Sequence, residues 1–293
     1  MNEINEFSTY LKNVRNLSDA TISAYSSDLR EFCAVMGFCD GIKEITLHDV
    51  ETVYIENLVA SGNCAASRSR KLSSVRAFYK WAVKNGIVKN NPVAEIEMPK
   101  IEKKSVNAMS CKEVEQVLNE AKNDSGDEAF RNLAIVSLMF YSGLRRAEIA
   151  EIKLNDLNLE ECSLVVHGKG SKDRLAYFNN TTRAILYEYV NVHRKFAKPA
   201  QMSEYLFVSQ RDEKLCLSTV NRVVNRYLNA AGIKQKGYTA HSPRKAFATA
   251  VYENTGDIFA VQQLLGHSSP ATTQRYVGVA EYRKREAAMT VNF

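Results

Sequence analysis

The chain has few residues that would cross-link it, bind a structural metal or hold it in a membrane. It has six cysteines, which are scattered: Cys33, Cys39, Cys64, Cys111, Cys162 and Cys216. No two of them form a CxxC pair, which argues against a disulfide framework or a structural zinc site and favours a reducing compartment. No apolar run approaches the ~18 to 20 residues that span a bilayer. The polar, acidic start MNEINEFSTY does not resemble a signal peptide. We therefore expect a cytoplasmic protein without a membrane partner.

Acidic residues are missing from one long segment. Between Asn57 and Ala94 there is no Asp or Glu, although the segment carries seven basic residues: Arg68, Arg70, Lys71, Arg76, Lys80, Lys84 and Lys89. A basic helix without carboxylates of its own cannot form i,i+4 ion pairs, so an external polyanion is a plausible partner. The alternative is an ordinary solvated face. The formal net charge of +6 agrees with a nucleic-acid partner without requiring one.

Apolar residues at helical spacing predict four helices in roughly the first ninety residues. We expect five side chains on the inner face of the first helix: Ile4, Phe7, Tyr10, Leu11 and Val14. In the third helix, which Thr46 can cap, we expect four inward side chains: Val50, Val53, Tyr54 and Leu58. The fourth helix, which is the basic one, is predicted from about Ala65 to Asn85.

A polar, proline-bearing stretch divides the chain. We predict a helical domain over 1–97, a linker over 98–108 and a second domain over 109–293 that ends in a tail helix. In the second domain, 163–167 and 174–178 are predicted strands, and further helices should begin near Thr182, Ser218, Ser242, Asp257 and Pro270. The expected fold class is mainly α with a small antiparallel β-sheet.

Two motifs in the first half of this second domain could bind a phosphate. Arg145 follows a glycine that ends one helix and precedes the next, so its guanidinium is rigidly placed to bind phosphate oxygens. The structural alternative is an ion pair between Arg145 and Glu148. Lys169 lies between two glycines at the predicted hairpin tip, where Lys172 and Arg174 add further positive charge. Here the alternative is a plain exposed turn, because no GxxxxGK[ST] motif is present.

The C-terminal part adds four more candidates. His241-Ser242-Pro243-Arg244 predicts a helix start with Ser242 as N-cap and Pro243 at the first helical position. His267 follows the glycine that should end another helix, and Tyr276 comes nine residues later. Considered separately, the histidines could be zinc ligands, although no further ligand stands at zinc spacing, and the tyrosine could be ordinary packing.

Taken together, these six residues suit phosphoryl transfer. Arginines can neutralise the charge that develops on a phosphodiester, a lysine can protonate a leaving oxygen, and a phenol can serve as nucleophile. No acidic cluster accompanies them, so we expect this chemistry to need neither a metal nor another cofactor.

In this order and on these local structures, the residues resemble the tyrosine recombinases, also called the phage integrase family. The matching segments are 141–148, 168–174, 241–249, 264–269 and 274–276, and the Xer-like recombinases and transposon integrases are the most similar groups within the family. The sequence departs from the family pattern at Lys245, where many members have another histidine. The resemblance covers essentially the whole chain, because the basic helical start is similar to that family's core-binding domain.

The resemblance implies a site-specific recombinase with a 3′-phosphotyrosyl intermediate on Tyr276. It further implies that Arg145, Arg244 and His267 hold the phosphate, that Lys169 protonates the leaving 5′ oxygen, and that His241 assists proton transfer near the phenol. The expected DNA-binding residues are Arg68, Arg70, Lys71, Arg76, Lys80, Lys172 and Arg174.

The partner implied by the resemblance is double-stranded DNA with inverted-repeat core sites. Four protomers would act on two duplexes in the nucleoid, alone or with a related second recombinase or accessory DNA-bending proteins. Integration, excision, inversion and dimer resolution all stay open. The alternatives are a type IB topoisomerase-like enzyme and a non-catalytic DNA-binding regulator.

Overall fold

The computed structural model describes residues 2–37, 45–101, 108–168, 173–197, 201–211 and 214–266. Within it the chain forms two compact units, Met1–Lys103 and Lys104–Phe293. Each unit has a hydrophobic core made of its own residues.

The elements of the first unit that the structure describes are all helical. Its helices are α1 (Asn2–Asn13), α2 (Asp19–Val35), α3 (Leu47–Asp49), α4 (Glu56–Ala60) and α5 (Ala65–Lys84), with a π-helical turn, Val50–Ile55, between α3 and α4. Thr46 caps α3 as predicted, and Ser18 caps α2 in the same way, since each side chain accepts a hydrogen bond from a backbone N–H of the first turn. The core is rich in aromatic rings, and the Phe7 ring meets the Phe78 ring edge-on at 5.4 Å between centroids.

Two of the inward positions predicted for this unit are wrong. Val14 is 68% exposed because α1 ends at Asn13, so its side chain lies beyond the helical face. Val53 is 44% exposed because it lies in the π-helical turn, whose wider winding breaks the 3.6-residue spacing used for the prediction.

The second unit is built around a helix that is buried on nearly all sides. Its helices are α6 (Cys111–Lys122), α7 (Ala129–Ser142), α8 (Arg146–Glu151), α9 (Asn180–Glu188), α10 (Leu217–Ala230), α11 (Ser242–Thr255) and α12 (Ile258–Leu265). In α7 the run 133–141 is apolar except for Ser137, and eleven residues of the helix are buried. A helix that is apolar around its circumference belongs in a core, which explains why α6, α9, α10 and α11 all pack against it.

One small antiparallel sheet accompanies these helices. Its strands are β1 (Leu157–Asn158), β2 (Ser163–Val166) and β3 (Arg174–Tyr177), in that order. The sequence predicted β2 and β3 but not β1, whose two residues are too few to show an alternating pattern. Val166 pairs with Arg174, so the loop that carries Lys169 leaves from this end of the hairpin.

Helix starts agree with the sequence to within two residues for α9, α10, α11 and α12. The cap of α11 differs by one position, because His241 is the N-cap and Ser242 already belongs to the helix. The helix predicted near Pro270 and the tail helix lie outside the described residues. Over the part of the chain that is described, no helix combines the length and apolarity needed to cross a membrane.

Candidate active site

The C-terminal end of α12 binds three arginine side chains. The Leu264 carbonyl accepts a hydrogen bond from Nε of Arg174 at 3.3 Å. The Leu265 carbonyl accepts one from Nη2 of Arg244 at 2.6 Å, and the Gly266 carbonyl accepts one from Nη2 of Arg145 at 3.3 Å. The last carbonyls of a helix lack intrahelical partners and carry partial negative charge, so they attract cations. Three guanidinium groups that are distant in sequence thereby lie together at 264–266, the residues that precede His267 in the sequence.

The carboxylate of Glu148 lies among the same three arginines. It accepts hydrogen bonds from Nη1 of Arg145 at 2.7 Å and from both Nη1 and Nη2 of Arg174 at 3.0 and 2.9 Å. Nη1 of Arg244 is 3.9 Å from the same carboxylate and donates to the Gly143 carbonyl at 2.7 Å. One buried anion therefore fixes the positions of three cations that would otherwise repel one another.

Glu148 is ionised at any physiological pH. Burial by itself would raise the pKa of this carboxyl, but hydrogen bonds from Arg174 and Arg145 outweigh burial and lower the pKa to about 2. Its side chain is 10% exposed, whereas that of Arg145 is 41% exposed. The site thus combines a buried anion with a guanidinium open to an incoming ligand.

Two glycines make this arrangement sterically possible. Gly143 ends α7 with φ +63°, and an added Cβ would lie 2.4 Å from the Phe247 ring. Gly266 ends α12 with φ +61°, and an added Cβ would lie 2.8 Å from Cδ of Arg174. Both positions need the left-handed conformation that glycine adopts without strain.

His241 lies at the N-terminus of α11 and contacts Arg146, the first residue of α8. Its Nε2 is 3.1 Å from Nη2 of Arg146. Partial burial, followed by the positive charges of Arg146, Arg244 and Lys245, lowers the pKa of His241 below its ordinary value. The imidazole is therefore mainly neutral at neutral pH.

The base of the β2–β3 hairpin is closed by a histidine between two aspartates. Nδ1 of His167 is 3.0 Å from Oδ2 of Asp173, and its Nε2 is 3.1 Å from Oδ1 of Asp156. Hydrogen bonds to Asp156 and Asp173 raise the pKa of His167. Lys169 and Lys172 of this hairpin lie outside the described residues, as do His267 and Tyr276.

Sequence reasoning anticipated part of this site. Arg145 and Arg244 come together as expected, and the Arg145–Glu148 ion pair that stood as the structural alternative is present as well. Arg174 differs from expectation: its side chain, 14% exposed, points to Glu148 rather than adding charge to the hairpin tip. The contacts of Arg146 and His167 were not predicted: those of Arg146 join residues 75 and 95 positions away, and those of His167 depend on how β2 pairs with its neighbours.

The basic helix α5 also differs from what the sequence predicts, because carboxylates of α2 form ion pairs with two of its basic residues. Arg70 binds Asp28, and Nζ of Lys71 is 2.6 Å from Oε1 of Glu31. The side chain of Arg76 donates to backbone carbonyls beyond the helix, and that of Arg68 donates to the carbonyl just before it. Lys80 is exposed and has no recorded partner among the described residues. The expectation that the basic residues of this helix lack acidic partners is therefore wrong for Arg70 and Lys71.

Within the described residues, no group of three or more His, Cys, Asp or Glu side chains is arranged to hold a metal ion. The cationic cluster is the feature of this unit that suits an anionic ligand. It offers one exposed guanidinium, two less exposed ones and a neutral imidazole, all held by hydrogen bonds before any ligand arrives. Such a preorganised cluster can stabilise negative charge as it develops.

Comparison with known proteins identifies the family. Residues 107–283 match the phage integrase family model, and residues 4–86 match the model of the phage integrase N-terminal SAM-like domain. The tyrosine recombinase XerC of Lactobacillus leichmannii is 35% identical, with 95% of this chain and 97% of the relative covered. XerC of Leptospira interrogans is also 35% identical, with 96% and 90% covered.

A solved structure agrees with the fold. The XerH site-specific recombinase, in a post-cleavage complex with its palindromic difH substrate, matches with a TM-score of 0.76 at 23% identity, over 97% of this chain and 84% of that one. The chain belongs to the phage integrase family of tyrosine recombinases. It is an enzyme of site-specific DNA recombination with Xer recombinases among its relatives, and the topoisomerase-like and non-catalytic alternatives are not favoured.

Proposed function

We propose that the chain binds double-stranded DNA at inverted-repeat core sites and cuts each strand with Tyr276, forming a 3′-phosphotyrosyl link and releasing a 5′-hydroxyl. The observation that supports this most directly is the placement of Arg145 and Arg244 on the last carbonyls of α12. A phosphate bound there would lie close to Gly266, the residue that precedes His267 in the sequence.

Arg145, Arg244 and His267 would hold the non-bridging oxygens of the scissile phosphate. The transition state carries more negative charge than the ground state, so fixed donors lower the barrier rather than merely tightening binding. Removing one such donor from an enzyme typically costs about 10² to 10³ in rate. One phosphoester replaces another, so rejoining would require neither ATP nor a metal.

Two side chains, those of His241 and Lys169, would take part in proton transfer. A phenol with the ordinary pKa of about 10 is almost wholly protonated at neutral pH, so Tyr276 needs cationic neighbours and assistance from His241. Lys169 would protonate the leaving 5′ oxygen. The strand that follows its loop begins at Arg174, which contacts Glu148 within the arginine cluster.

We also propose which residues contact the DNA and how the protomers assemble on it. Arg68, Arg70, Arg76 and Lys80 would contact the DNA backbone, with Lys71 contributing less because it is paired with Glu31 and little exposed. Lys172 would join them from the hairpin, whereas Arg174 would act mainly by holding Glu148. Four protomers would exchange strands between two duplexes in the cytoplasm, with residues after Tyr276 forming a tail helix that contacts a neighbouring protomer.

The nucleophile is tested by Tyr276→Phe. DNA trapped covalently by the wild-type enzyme is sequenced, and a nicked duplex carrying the recovered site serves as a suicide substrate. We expect the variant to bind this duplex as the wild type does and to give no covalent adduct on a denaturing gel. Tyr187→Phe, which alters an exposed tyrosine of α9, is the matched control and should form the adduct. An adduct that persists in Tyr276→Phe would exclude this residue as the nucleophile.

The general acid is tested by Lys169→Ala. This change should slow cleavage of ordinary DNA by about 10² or more. A 5′-bridging phosphorothiolate should restore the rate, because its sulfur leaves without protonation. Lys195→Ala, at an exposed lysine of the same unit, should leave cleavage of both substrates unchanged. An equal defect on both substrates would contradict the role of Lys169.

A further inference from the structure

Arg146 joins three helices of the second unit. It is the first residue of α8, its Nη1 donates to Oδ1 of Asn221 on α10, and its Nη2 lies 3.1 Å from Nε2 of His241 on α11. Its Nε is buried and has no hydrogen-bond partner recorded among the described residues. The side chain is therefore held in one orientation, because Nη1 binds the side-chain amide of Asn221 and Nη2 binds the imidazole of His241.

This contact fixes the proton on the imidazole. A guanidinium has only donors and stays protonated in proteins, so Nε2 of His241 must be the acceptor and cannot carry a proton. In a neutral ring the single proton then lies on Nδ1. We propose that Arg146 is a positioning residue that holds His241 as the neutral Nδ1–H tautomer, so that the ring offers the active site a hydrogen-bond donor at Nδ1 rather than a base at Nε2.

The charges around His241 agree with this assignment. The cations whose charge reaches the ring come from the start of α8 and from α11 itself, namely Arg145, Arg146, Arg244 and Lys245. All four disfavour an imidazolium. A proton at Nε2 would have to face the donors of Arg146 directly.

The inference rests on the proposed function, because it takes His241 to be part of the active site. It also makes that role more specific. With Nε2 committed to Arg146, His241 can donate a hydrogen bond from Nδ1 to an oxygen that gains negative charge. It can accept a proton from the phenol only after Arg146 turns away.

The tautomer can be measured without any reaction. Long-range ¹⁵N–¹H spectra of the full-length protein, labelled in its five histidines, distinguish the Nδ1–H, Nε2–H and doubly protonated rings. A His241→Asn sample assigns the signal. We expect the Nδ1–H pattern at pH 7 in the wild type, in contrast to the Nε2–H form that free histidine prefers. An Nε2–H pattern or an imidazolium for His241 at this pH would overturn the proposal.

Removal of the guanidinium should release the ring. In Arg146→Met, which keeps most of the side-chain length, we expect the Nε2–H form to appear and the pKa of His241 to rise toward about 6.5. Arg222→Met removes the same charge from an exposed position beside Asn221 and should change neither quantity. An unchanged His241 signal in Arg146→Met would also overturn the proposal.

Two further variants, Asn221→Leu and Tyr276→Phe, separate failure of the Arg146 assignment from misfolding and from failure of the proposed reaction. If circular dichroism shows that Arg146→Met does not fold, Asn221→Leu takes its place, since it removes the anchor and should loosen Arg146 with the same spectral result. Tyr276→Phe should retain the wild-type His241 signal, because the tautomer does not depend on the nucleophile. Failure of the proposed reaction and failure of the Arg146 assignment are therefore seen in different experiments.

Discussion

Glu148 is the residue on which the cationic cluster most depends. Arg145 and Arg174 both form ion pairs with it, and the Arg244 guanidinium lies within 4 Å. Without this carboxylate, three guanidinium groups would face one another at the end of α12 without compensation. The geometry of the cationic cluster and the stability of the fold are therefore coupled at one side chain.

Glu148→Gln should lower the free energy of unfolding by about 3 kcal/mol at pH 7, because it leaves buried cations without their counter-ion. The loss should shrink with acid. The folded pKa of Glu148 is about 2, below its ordinary value of 4.5, so its stabilisation is present above about pH 4.5 and disappears as the pH falls toward 2. Denaturant titrations of both proteins at pH 7 and pH 3 measure the difference.

Glu151→Gln supplies the control on the same helix. Glu151 is 59% exposed and forms a surface ion pair with Lys214, so the expected cost is below about 1 kcal/mol. Equal losses for the two substitutions would contradict the central role of Glu148.

At the scale of elements, the β2–β3 hairpin is held at its base by a titratable contact. His167 is about half exposed and contacts Asp156 and Asp173, and these contacts raise its pKa. A raised folded pKa means that the stabilisation is complete below the unfolded value of about 6.5 and is lost as the pH rises through the folded pKa.

His167→Ala should therefore reduce Tm more at pH 6 than at pH 9, where the wild-type ring is neutral. Thermal melts at the two pH values provide the test. His48→Ala, at an exposed histidine of the first unit, is the matched control: no hydrogen bond to its imidazole is found within the described residues, so it should lower Tm less than His167→Ala does at pH 6. A His167→Ala penalty that is the same at both pH values would show that the pairing with the aspartates adds nothing.

Helix α5 presents its basic residues unequally. Lys80 is exposed and lacks a recorded partner among the described residues, whereas Lys71 is 12% exposed and paired with Glu31. If Lys80 contacts a phosphate, Lys80→Ala should reduce the slope of log K against log salt by about 0.9. Lys71→Ala should reduce it less. Titrations of the core-site duplex with each variant over a series of salt concentrations measure the two slopes. A larger reduction for Lys71→Ala than for Lys80→Ala would contradict this ranking.

At the scale of the molecule, the chain is two separately packed bodies. The core of Met1–Lys103 and the core of Lys104–Phe293 share no residue. A compact unit with its own hydrophobic core can fold alone. We therefore expect fragments 1–103 and 104–293, expressed separately, each to unfold cooperatively on heating. A fragment that lacks a cooperative transition would show that its core depends on the other unit.

Much of the local structure could be predicted from the sequence. The period of apolar residues, the cap at Thr46 and the αL glycines Gly143 and Gly266 act within a few residues, so they located helices to within one or two positions. The two-residue strand β1 and the π-helical turn were missed because neither leaves a periodic signal.

The family motifs named Arg145 and Arg244, and the chemistry of their side chains was sufficient to indicate a phosphate ligand. The grouping of these residues was decided only by tertiary structure. Contacts such as Glu148 with Arg174, Arg146 with His241 and Asp28 with Arg70 join residues 26 to 95 positions apart. A sequence pattern reports the faces of its own helix or strand, whereas a charged side chain takes its partner from whichever element the packed core brings near it.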